Sequence, residues 1–118
     1  MTDPISDRLI QLGLSLPDIP TPSANYLPYI VDGLTVYLAG QINELNGKPT
    51  IVDRCLSLRG FVNTDPDFDS VPLVVNGASN LFVEIFGDAG RHVRTAIAVA
   101  TLPRNGVVEI DAIFRLKA

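Results

Sequence analysis

The stretch from Val71 to Phe86 constrains the fold most. Val71, Val74, Val75, Ala78, Leu81, Phe82, Ile85 and Phe86 fall on one broad stripe at helical spacing, and Asn76, Asn80 and Glu84 fall on the opposite side. Ser70 stands where an N-cap belongs, Pro72 is tolerated in the first turn, and Gly87 supplies a C-terminal stop. The pattern predicts a helix over these residues, with a stripe that must be buried against another layer.

Strand patterns on both sides supply that layer. Asp53 to Val62 reads as a strand, with Leu56, Leu58 and Val62 on one face and Cys55, Ser57, Arg59 and Phe61 on the other. Arg94 to Thr101 and Val107 to Lys117 read as the last two strands. In the final strand Val108, Ile110, Ala112, Phe114 and Leu116 point one way and are expected under the helix. Val107, Glu109, Asp111, Ile113, Arg115 and Lys117 point the other way, a face too polar for a dry core. Nearer the N-terminus, Tyr29–Val31 and Leu34–Gly40 are strand-like around a turn at Asp32-Gly33. Asp7–Gly13 reads as a short helix capped by Ser6. Pro17, Pro20 and Pro22 make an extended lead-in. Asn43 to Thr50, with Asn46-Gly47-Lys48-Pro49, reads as a loop. Several strands and one good helix imply an α+β fold, a mixed sheet with the helix packed on one face.

At 118 residues the chain is expected to be a single domain, residues 1–118. Hydrophobic residues make up 47% and charged ones 19%. A small domain with so little surface charge gains from assembly, and the second face of the last strand could meet a partner subunit. The net charge of −4 and the absence of a basic cluster argue against nucleic acid as a partner. No apolar run approaches the ~18 residues of a membrane span, so no membrane association is expected. Met1-Thr2-Asp3-Pro4 lacks the basic and apolar regions of a signal peptide, which makes the cytoplasm the expected compartment. The single Cys55 reads as a small buried hydrophobe rather than a nucleophile. His92 has no Cys or acidic partners at ligand spacing, so no metal is expected. Gly87-Asp88-Ala89-Gly90 follows a helix instead of opening one and is no phosphate cradle. No cofactor is expected.

Several short motifs, in order, carry a resemblance. They are Pro22-Ser23-Ala24-Asn25-Tyr26-Leu27-Pro28-Tyr29, Asp32-Gly33, Ala39-Gly40-Gln41-Ile42, Phe61-Val62-Asn63 and Val75-Asn76-Gly77-Ala78-Ser79-Asn80. Phe86-Gly87-Asp88-Ala89-Gly90-Arg91-His92 and Leu102-Pro103 follow. Together they resemble the YjgF/RidA family, also called the L-PSP endoribonuclease family, and within it a subgroup with a longer N-terminal lead such as Arg8–Gly13. The resemblance implies a chorismate-mutase-like architecture and a homotrimer whose pockets form between subunits. One departure is large: the family's first long helix, expected between Gln41 and Asp53, has no counterpart in length here. A sheet face left uncovered would cost ~1.5–3 kcal/mol for each large apolar side chain, unless a neighbouring chain or the N-terminal helix covered it.

The resemblance also names a site. Arg94 matches the arginine that binds a substrate carboxylate, and a guanidinium offers such a group a bidentate fork. Glu109 matches the acidic residue near the attacking water, and a carboxyl in an apolar strand suits general acid–base work. Its alternative role is a charge paired with Arg115 or Arg59. Asp111, on the same face, reads as the structural partner. Tyr26 matches a tyrosine lining the pocket, and a packed aromatic is its other reading. Asn80 lies on the wet face of the helix. The implied activity is a deaminase that hydrolyses reactive 2-imino or enamine acids to 2-keto acids and ammonia, a small carboxylate substrate needing neither metal nor cofactor. The alternatives are a non-catalytic carboxylate-binding module of the same fold and an inactive truncated form.

Overall fold

The computed structural model describes residues 4–15, 25–42 and 52–118, with no side-chain description at 41 and 42. Its elements, in order, are α1 (Pro4–Gln11), β1 (Tyr29–Asp32), β2 (Thr35–Ile42), β3 (Val52–Asn63), α2 (Val71–Phe86), β4 (Val93–Val99) and β5 (Val108–Leu116). Short 3-10 turns at Gly87–Gly90 and Pro103–Asn105 flank β4. The strands form one mixed sheet in the order β1-β2-β5-β3-β4. All pairs are antiparallel except β3 with β4, which α2 joins as a parallel crossover. The α+β expectation therefore holds.

Alternation in β5 puts its even-numbered residues under α2. Leu58, Val62, Val71 and Val75 form one buried cluster, with Ala96, Val108 and Ile110 packed against it. Cys55, Ala112 and Phe114 form a second, reached by Phe82 and Phe86. Phe82, Phe86 and Phe114 form a triad, Phe82 edge-on to Phe86 and both tilted against Phe114, with centroids 5.5–6.3 Å apart. The closest contact lies at Gly60. A Cβ there would fall 2.5 and 2.6 Å from the two methyls of Val75. The missing side chain is what lets the helix sit down on β3.

Three local readings differ from the sequence pattern. First, β3 carries an irregularity between Cys55 and Ser57: Cys55 pairs with Phe114 and Ser57 with Ile113. The extra residue, Leu56, is exposed, and Cys55 moves to the α2 face beside Leu58 instead of sharing a face with Ser57. A bulge of this kind resets the period-2 count. Second, α1 starts at Pro4, which is suited to a first helical turn, so Ser6 lies inside the helix. Third, Ser70 occupies the N-cap position of α2 without a side-chain cap; its hydroxyl bonds Asp69 instead. The Pro17–Pro22 lead-in and the Asn43–Thr50 loop lie outside the described residues.

The register exposes the consequence of the short connection after β2. Both β2 and β3 run antiparallel to β5, so they run parallel to each other. β2 ends beside Glu109, and β3 begins beside Leu116. A crossover between such ends takes a dozen or more residues, usually including a helix, and the sequence assigns only residues 43–51 to it. α1 lies against α2, burying Ile5 and Leu9 and donating from Arg8 to the Glu84 carbonyl. On the α2 side of β1, Tyr29 and Val31 stay 48% and 49% exposed. No described helix is long and apolar enough to cross a membrane.

Two glycine substitutions test this packing. Gly60→Ala should destabilise by about 1–3 kcal/mol, because the added methyl meets Val75 in a filled core. Gly77→Ala, on the open side of α2 with nothing within 4 Å, should stabilise by about 0.5–1 kcal/mol. Urea midpoints at a fixed chain concentration should move in opposite directions.

Candidate functional site

Arg94 enters on edge strand β4 and pairs with Leu58, so its side chain lies on the α2 face. There it is held from two sides. Nη1 donates to Ser79 Oγ at 3.0 Å, and Nη2 donates to the Pro72 carbonyl at 3.2 Å. Ser79 in turn lies 2.9 Å from His92 Nε2, and His92 Nδ1 lies 2.6 Å from the Gly90 carbonyl. A carbonyl can only accept, so Nδ1 carries the proton. In the neutral ring Nε2 is then an acceptor, and Ser79 is its donor. Phe82 meets the imidazole edge-on at 5.8 Å and fixes its plane. The result is a chain of polar contacts from Gly90 through His92 and Ser79 to the guanidinium. It borders an open cleft of about 280 Å³ that Asn76, Asn80 and Arg91 also line. A neighbouring depression of about 380 Å³, reached by Arg54, Arg91, His92 and Arg115, adjoins it.

Glu109 lies elsewhere. It pairs with Phe61 on central strand β5, so it occupies the face turned away from α2. Its side chain runs over Gly40, where a Cβ would fall 2.5 Å from Oε2. Gly40 sits in an irregularity of β2 between Leu38 and Gln41, and the absent side chain leaves room for the carboxylate. The charged neighbours pair with other groups. Arg59 grips Asp111 with Nε at 2.9 Å from Oδ1 and Nη2 at 2.6 Å from Oδ2. Asp111 thereby holds the guanidinium protonated above its usual range. Arg115 takes Asp53 at 2.6 Å. Among the described residues Glu109 has no hydrogen-bond or ion-pair partner, so its pairing with Arg59 or Arg115 is replaced by these two bridges.

Tyr26 precedes β1 and is 51% exposed. β1 and β4 are opposite edges of the sheet, four strand spacings or about 19 Å apart. Within one chain, then, Arg94, Glu109 and Tyr26 are not brought together. Arg94 is on one face at one edge, Glu109 is on the other face, and Tyr26 is by the far edge. Sequence reading missed Ser79 and His92 as partners of Arg94. The available signal was the i, i+2 spacing of His92 and Arg94, which sends both toward the helix. The position of Asn80 on the wet side of α2 is compatible with lining the cleft, because the cleft opens there.

Cys55 is fully buried, and burial pushes its thiol up from 9.0 to about 11, partly offset by a backbone hydrogen bond with Ser57 and by the charge of Arg54. It should therefore stay unreactive toward a thiol reagent near neutral pH and react fully once urea unfolds the chain. The protonated thiol is favoured in the folded state, so this contribution is complete below the ordinary thiol range. It should be lost as pH rises from 9.0 toward about 11. Rapid labelling of the native protein would contradict this placement.

No family model matches the chain. Protein TCP17 of Trypanosoma cruzi is 30% identical over 150 residues, covering 95% of this chain and 94% of that protein. That alignment is longer than the 118 residues of this chain, so the relative has positions without a counterpart. The structure of Atu1372 from Agrobacterium tumefaciens, a protein of unknown function, is 31% identical with a TM-score of 0.83, over 98% of this chain and 94% of that one. RidA from a Psychrobacter species shares the fold at 24% identity and a TM-score of 0.60, over 82% and 93% of the two chains. With the ordered motifs and the observed sheet topology, these likenesses lead to one conclusion: the chain belongs to the YjgF/RidA (L-PSP endoribonuclease-like) family.

Proposed function

We propose that this protein is a RidA-like deaminase, a single-domain cytoplasmic enzyme that hydrolyses small 2-imino or enamine acids to 2-keto acids and ammonia. The observation that carries the reading is the Arg94 guanidinium, fixed by Ser79 and Pro72 at the edge of an open cleft. A pre-organised fork of this kind binds a carboxylate without first having to be ordered. The imine carbon is already electrophilic. Once the carboxylate is held, the remaining task is to deliver water and to move protons. Glu109, without a partner among the described residues and mounted on a central strand, is suited to take a proton from that water and return it to the departing nitrogen. Tyr26 would close the pocket against bulk solvent.

Because Arg94 and Glu109 lie on opposite faces of one sheet, the site we propose takes Arg94 from one subunit and Glu109 from its neighbour in a homotrimer. The face turned away from α2 supports such an assembly. Paired positions there carry Ile30 beside Tyr37 and Ile97 beside Phe61, and Ile30, Tyr37 and Ile97 are all exposed. Closed cyclic symmetry would cover this face in every copy.

Arg94→Ala should abolish imino-acid turnover. Arg94→Lys should retain little, because it keeps the charge and loses the planar fork, and a misplacement of about 1 Å costs ~100-fold. Glu109→Gln should lower kcat more than it raises KM. Turnover by Arg94→Ala at the parent rate, measured on an imine generated in place, would remove the mechanism. Light scattering should return a trimer mass; a monomer across a wide concentration range would contradict the shared site.

A further inference from the structure

The contacts behind Arg94 are more than a support for it. From the geometry we infer that Ser79 and His92 are a nucleophile–base pair, which gives the α2 cleft an acyl-transfer activity toward small carboxylic esters, separate from imine hydrolysis. Three features carry this. The Ser79 hydroxyl donates to His92 Nε2 at 2.9 Å, the reach a general base needs. The Gly90 carbonyl, 2.6 Å from Nδ1, locks the tautomer that leaves Nε2 free to accept, a role that a carboxylate plays in serine hydrolases. Arg94 Nη1, 3.0 Å from the same Oγ, places a fixed positive charge where an alkoxide and then an oxyanion would develop. The cleft is open, and the amide side chains of Asn76 and Asn80 line it beside the pair.

The charges around the pair favour a negatively charged transition state. Arg94 faces it from β4, and Arg91 lines the cleft from the turn after α2. Asp88, the carboxylate of that turn, is exposed and bridges to Arg91 at 3.3 Å. In the reaction Ser79 Oγ bonds to the ester carbonyl carbon while its proton passes to His92 Nε2. The carbonyl π electrons move onto oxygen, facing Arg94. Collapse breaks the bond to the leaving alkoxide, which takes the proton from Nε2 and departs as an alcohol. Water then attacks acyl-Ser79, giving its proton to His92; the proton returns to Ser79 Oγ as the free acid leaves.

The test uses the 118-residue protein as purified, p-nitrophenyl acetate and a fluorophosphonate probe. Nitrophenol should appear in a burst approaching about one equivalent per chain, and peptide mapping should find the phosphonyl adduct on Ser79. Ser79→Ala should remove that adduct, and His92→Gln should slow the burst by roughly 100-fold or more. Failure of the parent to label at Ser79, or labelling only at other residues, would overturn the inference whether or not the variants fold. An equal burst rate in a folded His92→Gln protein would overturn the role of the base. Neither readout depends on imine turnover, so this idea and the deaminase reading fail separately.

Discussion

The contact of Val75 with Gly60 is the constraint on which the rest of this structure depends. Two methyl groups of α2 occupy the space a side chain on β3 would need, and Leu58 and Val75 are both fully buried around that point. The contact sets the height and rotation of the helix over the sheet. One turn further along α2, Ser79 is thereby brought to β4, where it meets Arg94 and His92 together. A helix raised by a methyl group would loosen that polar chain, since hydrogen bonds weaken steeply outside about 2.7–3.2 Å. The core and the cleft are therefore one mechanical unit, and the buried apolar cluster holds the guanidinium still.

The sheet imposes a second constraint. Paired residues share a face, so a strand residue opposite Leu58 must look toward α2 and one opposite Phe61 must look away from it. Arg94 and Glu109 obey this rule and are separated by the sheet itself. No rotamer change brings them together. A family member whose chemistry needs both groups must collect them from two chains. The exposed apolar side chains on the far face and the short link between β2 and β3 point the same way. Both leave surface that a second copy can cover.

Much of this was legible in the sequence, for physical reasons that can be named. The α2 stripe and the alternation of β5 are long patterns with one dominant period, and Val108 to Leu116 packs as that period requires. Local exceptions were not legible. Leu56 disturbs the count in β3 through a bulge, which no apolar pattern announces, and Cys55 changes face as a result. Ser70 has the right identity for a cap, yet its hydroxyl prefers Asp69. The Arg59–Asp111 bridge was half legible, since Asp111 read as a structural partner. The Ser79–His92 contact was not, because it joins a helix to the segment just before β4, across a turn, and neither residue stands out alone. Arg94 was visible as a candidate, but its separation from Glu109 emerged only with the register.

Subunit mixing tests the central claim most directly. Arg94→Ala and Glu109→Gln proteins, the first inactive and the second slowed when alone, would be unfolded together, refolded and assayed on an imino acid. If each site draws Arg94 from one chain and Glu109 from the next, random trimers restore both groups at roughly a quarter of the sites. Activity should recover to about that share of the parent. No recovery in mixed trimers of normal mass would contradict the account, because it would mean that each site depends on a single chain.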